Sequence, residues 1–200
     1  MILEVVKYGH PVLRQKGARL EKITPEIQQL IADMQETMHA AKGVGLAAQQ
    51  VGKLLQLTVL DVRGATDRPS TFRWAGQPES DANAAMPLVL INPEVTPVGP
   101  AAAGSEGCLS FPEIYGEITR PSEADVRAMN EKWEKIEFHC GGLLARAIQH
   151  ELDHLNGILF IDRMLRSEKE ELKPKLDDLL EETKAALKAP KVPADSAGHQ

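Results

Sequence analysis

The sequence predicts an α+β fold in one domain, and three observations carry that reading. A helix start is written at Thr24-Pro25-Glu26, with Thr24 as N-cap and Pro25 at the first helical position. Several aliphatic and β-branched runs follow, divided by turn residues. A Gly-Gly pair then opens a helical run that ends at Asn156-Gly157 and carries two histidines four residues apart. Two hundred residues, 42% of them apolar, suit a single compact core.

In chain order, Ile27, Leu30, Ile31, Met34 and Met38 recur at helical spacing, and Lys42-Gly43 supplies the stop. Leu55 to Val62 reads as a buried strand, and Leu88 to Ile91 as a short one closed by Asn92-Pro93. Further strands are expected at Ile114 to Thr119, Asp125 to Met129 and Lys135 to Phe138. Residues 63–87 are rich in Pro, Ser, Asp, Gly and Ala and lack periodicity, so they read as a mobile insertion, with a lid as the alternative. Phe72 and Trp74 are its only large apolar groups and are placed to pin it to the body. Ser167 to Glu170 reads as a capping box opening a C-terminal helix over 166–188, with a stripe of Leu172, Leu176, Leu179, Leu180 and Leu187. Pro174 is expected to kink that helix or delay its regular part. Residues 189–200 show no core-forming pattern and read as a disordered tail.

The chemistry is concentrated in Gln149-His150-Glu151-Leu152-Asp153-His154. Residues four apart on a helix lie about 40° apart around its axis, so both imidazoles can reach one cation. Glu151 sits about 100° round from His150, close enough to touch a ligand of the ion. Two histidines and a carboxylate make a hydrolytic set. A catalytic ion usually takes a third protein ligand, and Cys108 is the best candidate. It stands in Glu106-Gly107-Cys108-Leu109-Ser110, where Gly107 lets the backbone approach a ligand or metal closely. His139-Cys140 is a weaker candidate, because adjacent residues on a strand point to opposite faces. Glu106 is expected to pair with an arginine such as Arg120 or Arg146, and Asp153 to bond within the fold. His10, His39 and His199 are expected to be solvated or satisfied locally. Gly43-Val44-Gly45-Leu46-Ala47-Ala48-Gln49-Gln50 has no GK[ST] and is no phosphate loop. Its glutamine amides are possible oxyanion donors.

These three motifs, in this order, resemble those of the peptide deformylases. The likeness continues through Pro87 to Pro93 and Gly142 to Arg146 and covers about residues 1 to 165. It implies antiparallel or mixed sheets packed around a central metal-binding helix, with one helix N-terminal and one C-terminal to that catalytic core. By the same resemblance Cys108, His150 and His154 would hold one divalent ion, Fe²⁺ in the cell, with Zn²⁺ or other ions able to substitute. Glu151 would be general base and then general acid. Gln50 and the backbone N–H of Leu109 would bind the oxyanion, and Gly45 would lie along the peptide. The implied substrate is the N-formyl-methionyl end of a nascent chain, released as formate and a free amine. Val44, Leu143 and Ile148 are placed by type and position to shape a methionine pocket.

A net charge of −6 argues against a general nucleic-acid binder, and no apolar run approaches the ~20 residues of a membrane span. No export signal is visible, which points to the cytoplasm. The Leu stripe of the C-terminal helix reads as a docking face on its own domain, with a ribosome contact as the alternative. Two rival readings are a zinc endopeptidase, which needs a third helix-side ligand, and a structural metal module closed by Cys140 or His139.

Overall fold

The computed structural model of the chain describes residues 1–189. After a single 3₁₀ turn come α1 (Pro25–Ala40), β1 (Gly45–Ala47), β2 (Leu57–Leu60), β3 (Ser70–Trp74), β4 (Leu88–Cys108), β5 (Phe111–Met129), β6 (Lys135–Gly141), α2 (Gly142–Leu155) and α3 (Arg166–Lys188). The strands form one antiparallel sheet in the order β1-β2-β4-β5-β6-β3. The fold is therefore α+β, and the mixed alternative reduces to a lone parallel bridge between Ala18 and Leu55.

The helix α2 packs against all six strands of the sheet. That helix is buried along most of its length, from Leu143 to Leu155. β2 and the start of β4 are covered on both faces, which explains their unbroken apolar runs. Val59, Val89 and Ile91 meet Met34 and Met38 of α1 on one side. Leu60, Leu88 and Leu90 meet Leu144 and Ile148 of α2 on the other. Gly142 takes φ +67°, a left-handed turn that swings the chain from β6 directly into α2. A third cluster, with Phe111, Ile118, Phe160 and Leu176, docks α3 on β5.

Several sequence expectations need correction. Asn92-Pro93 does not end a short strand: β4 runs on to Cys108 through register shifts at 91–94 and 98–101. Asn92 at φ 51° and Gly99 at φ 78° sit in those irregularities, and Pro93 and Pro100 fall where a bulge relaxes the demand for a ladder N–H. The strands expected at 114–119 and 125–129 are one strand, β5, which continues past Pro121. Ser167 is not an N-cap. The helix starts at Arg166 with Leu165 at the cap, and Glu168 accepts the Glu117 N–H at 2.6 Å. Pro174 does not interrupt α3, although its ring removes one helical hydrogen bond. Leu187 leaves the apolar stripe and is exposed.

Segment 63–87 is also more structured than its composition suggests. It contains β3 and a 3₁₀ turn at Ala82–Ala85. β3 pairs with β6 in the register Phe72↔Cys140, and Phe72 is fully buried. The pinning by aromatic residues holds: Phe72 meets Trp74 and Phe138 at ring separations of 4.8 and 5.0 Å. Of the tail 189–200, only Ala189 lies among the described residues, where it caps α3. The expectation for His199 lies outside them.

Candidate metal centre and cleft

α2 carries His150 and His154 on one face, with ring centroids 5.0 Å apart. The end of β4 brings Cys108 to them. One ligand atom from each of the three residues lies within 4.8 Å of the others, and this is the one such group among the described residues. Cys108 Sγ stands 3.2 Å from His154 Nε2. Glu106 Oε2 lies 3.0 Å from His150 Nδ1, a contact that favours a proton on Nδ1 and directs the Nε2 lone pair toward the thiol. A soft thiolate with two imidazoles suits a divalent transition metal, and the residues present fit one.

Glu106 belongs to a buried charge network. Arg120 donates to Glu106 through Nε and Nη2, at 2.7 and 2.9 Å, and reaches Asp153 at 2.8 Å. Arg146 donates to Glu106 at 2.9 Å, and Arg163 pairs with Asp153 at 2.5 Å. Burial pushes the Glu106 carboxyl up, but hydrogen bonds from His150 and Arg120 outweigh it and hold the group at about 2. Both expected arginine partners of Glu106 are confirmed, and Asp153 bonds within the fold as anticipated. Arg120 thereby ties the carboxylate behind His150 to the one beside His154.

Glu151 is buried on the same helix. Burial raises its carboxyl to about 7, with Glu106 and Asp153 adding to the effect and His150 and Arg120 opposing it. Its Oε2 has no hydrogen-bond partner among the described residues. A Cβ on Gly45 would lie against its Oε1, so β1 passes directly over the carboxylate. Burial drives His154 well below the usual imidazole range. At His150 burial lowers the affinity for a proton, yet the contacts with Cys108 and Glu106 raise it well above that range.

Gln50 closes another side. Its Oε1 accepts the Ala47 N–H at 2.8 Å, which turns the amide nitrogen toward Cys108 Sγ and Ser110 Oγ, each 3.4 Å away. It caps a strand end and faces the cleft at once. Gln49 is structural and donates to the Leu155 carbonyl. Leu109 lies in the two-residue turn between β4 and β5, its carbonyl held by Lys7 Nζ at 2.9 Å.

A cleft of about 600 Å³ opens over this group and is lined by Val44, Gly45, Gln50, Gly107, Leu109 and Leu143, among others. Ile148 does not reach it. That side chain faces the core instead, against the sheet. Arg68, Glu113 and Tyr115 line the cleft and were missed from the sequence. Tyr115 had no signal in the sequence, because it reaches the cleft through the β4–β5 register, which sets it opposite Gly107, where its ring covers the glycine. Arg68 had none, standing in a segment without periodicity.

His139 and Cys140 do not close the metal centre. Cys140 is in the core, donating to the Ala124 carbonyl at 3.8 Å, and burial pushes its thiol up to about 12. His139 faces the other way, between Asp125 and Glu123. His10 caps the first 3₁₀ turn, and His39 pairs with Asp61 at 2.9 Å.

Fold and site together define a class: an α+β protein with a candidate Cys-His-His metal centre, drawn from one helix and one strand end, at the foot of a cleft. The polypeptide deformylase family model matches residues 2–170. The chain belongs to that family. It is 42% identical to a peptide deformylase of Opitutus terrae over 94% of this chain and 98% of the relative. It is 44% identical to peptide deformylase 1 of Clostridium acetobutylicum over 84% and 97%. Among solved structures, a peptide deformylase of Synechococcus elongatus in complex with actinonin shares 36% identity at TM-score 0.71, covering 91% of this chain and 86% of that one. Arabidopsis thaliana peptide deformylase 1B in complex with an inhibitor aligns at TM-score 0.79 and 31% identity, covering 94% and 96%.

Proposed function

We propose that Cys108, His150 and His154 hold one divalent ion, and that Glu151, Gln50 and Leu109 act on the formyl group of an N-formyl-methionyl peptide. The family supports hydrolytic removal of the N-formyl group from newly synthesised proteins. The observation that carries the residue assignment is the placing of Glu151 and Gln50 on two sides of the ligand group, at the floor of one cleft.

When bound, the ion supplies Lewis acidity, which lowers the pKa of water to about 7 in well-studied zinc sites. Glu151 accepts the proton of the attacking water as its oxygen bonds to the formyl carbon. The tetrahedral oxyanion is met by the Gln50 amide and the Leu109 N–H, each worth on the order of 3 kcal/mol in comparable holes. Glu151 then returns its proton to the leaving nitrogen as the C–N bond breaks, giving formate and a free amine. Val44 and Leu143 line the space left for the methionine side chain, with Gly45 and Gly107 keeping the backbone close to it.

Thiolate and imidazole donors suit iron and zinc alike, and iron is the ion we propose for the cell on the family resemblance, with zinc able to replace it. No helix among the described residues is long and apolar enough to cross a membrane. A cytoplasmic site of action follows from the substrate. A ribosome contact through α3 belongs to the same proposal, although six basic and seven acidic side chains give that helix no electrostatic bias toward RNA.

Formate release from formyl-Met-Ala-Ser by anaerobically purified protein, with metal analysis of the same sample, tests the reading. Glu151→Gln is expected to keep one equivalent of metal and lose about 10³-fold in kcat, within the usual span of general acid–base catalysis. Intact turnover in that variant would sink the mechanism.

A further inference from the structure

Segment 63–87 does more than dock β3, for it carries Arg68 to the rim of the catalytic cleft. Arg68 also lines a second cavity of about 300 Å³, walled by Thr66, Ser70 and Asn83 of the same segment. Arg68 is the one residue that lines both cavities. Eight of the ten arginines in the chain hold a carboxylate within ion-pair distance. Arg68 does not. It is exposed, and its recorded bond is a backbone one, from its N–H to the Ala65 carbonyl at 3.3 Å. Lys42, also on the cleft, likewise has no carboxylate partner among the described residues.

The acidic groups of the cleft do not cancel these cations. Glu106 is engaged by Arg120 and Arg146, and Glu151 sits buried at the floor. Among the described residues that line the cleft, Glu113 alone is an exposed carboxylate. With the formyl group beside Cys108 and Glu151, the rest of the peptide has to leave across that rim. An unmodified nascent chain offers one kind of anion there, the side-chain carboxylate of Asp or Glu.

We propose that Arg68 is a specificity-determining residue that binds an acidic side chain within the first few residues after the formyl-methionine, with Lys42 adding to the local positive potential. The inference rests on the deformylase reading and deepens it. An exposed ion pair is worth up to about fivefold in affinity, and salt screens it over about 8 Å at physiological ionic strength.

The test compares kcat/KM for C-terminally amidated formyl-Met-Ala-Glu, formyl-Met-Ala-Ser and formyl-Met-Ala-Lys, and for the same set with the charge at the second residue. The Glu peptide is expected to exceed the Lys peptide by about three- to fivefold at low salt, within the range of exposed ion pairs. That ratio should fall toward one in 0.5 M NaCl and in Arg68→Ala, survive in Arg68→Lys, and invert in Arg68→Glu. Arg73→Ala, at a cation outside this cleft, should leave the ratio as it is. Formate release from the Ser peptide reports the deformylase reading separately. Brisk turnover of that peptide with no Glu-over-Lys preference, or a preference unchanged in Arg68→Ala, would overturn the role of Arg68 and leave deformylation standing.

Discussion

Gly45 has no room for a side chain, because a Cβ there would press on the Glu151 carboxylate. Gly45→Ala should therefore keep the fold and the metal but displace the base. Misplacement by about 1 Å can cost on the order of 100-fold in rate, and a loss of that size is expected in kcat/KM for formyl-Met-Ala-Ser. Activity within twofold of the parent protein would show that the carboxylate tolerates the shift. Glu106 makes the complementary case, since it touches the imidazole and not the substrate. Glu106→Gln leaves Arg120 and Arg146 short of a buried counter-charge and weakens the hold on His150 Nδ1. Two readouts are expected to move together: metal affinity down by about 10- to 100-fold, and unfolding free energy down by about 3–5 kcal/mol. Unchanged metal affinity in a destabilised protein would make Glu106 a structural residue only.

At the scale of elements, β3 shows how a loop-like composition can hide a strand. Phe72 alternates inward from β3 onto Phe138 and Cys140 of β6, filling the end of the core beside α2. Phe72→Ala should cost about 3–5 kcal/mol, as buried aromatic truncations do, read from urea unfolding. A cost below about 1 kcal/mol would mean that the segment rests on the body without supporting it. What the sequence showed and what it hid divide along a physical line. Thr24, Pro25 and Asn156-Gly157 act locally, through caps and turns, and α1 and α2 appear where those signals put them. That Cys108, Gln50, His150 and His154 would share one neighbourhood was legible from residue type and spacing taken with the family resemblance. The length of β4 was not, since Asn92, Pro93 and Gly99 read as stops unless the partner strand is known to absorb them as bulges. Ser167 misled for a different reason: the helix already begins at Arg166, which pairs with Glu170, the carboxylate that a capping box would have used. Arg68 and Tyr115 reach the cleft only through the pairing of distant segments.

Across the whole molecule, the acidic balance of −6 conceals carboxylates held firmly as anions. Asp61, just past the end of β2, bonds to Arg63 at the root of the insertion and to His39 near the end of α1. Its side chain is almost fully buried. The hydrogen bond from Arg63 lowers its carboxyl from 3.8 to about 2, burial opposes the shift, and His39 adds to it. The folded state thus binds fewer protons than the unfolded one across that window. The stabilisation is fully present above pH 3.8 and is lost as pH falls through about 2. Since Arg63 is half exposed, solvent screening limits the contribution to about 1 kcal/mol. Asn at this position keeps an acceptor for the Arg63 N–H while removing the charge. The urea midpoint of Asp61→Asn should therefore lie below that of the parent protein at pH 7, with the gap closing as pH drops from 4 toward 2. A gap of the same size at pH 7 and at pH 2 would show that Asp61 stabilises this junction through shape and neutral hydrogen bonds, and that its charge contributes nothing.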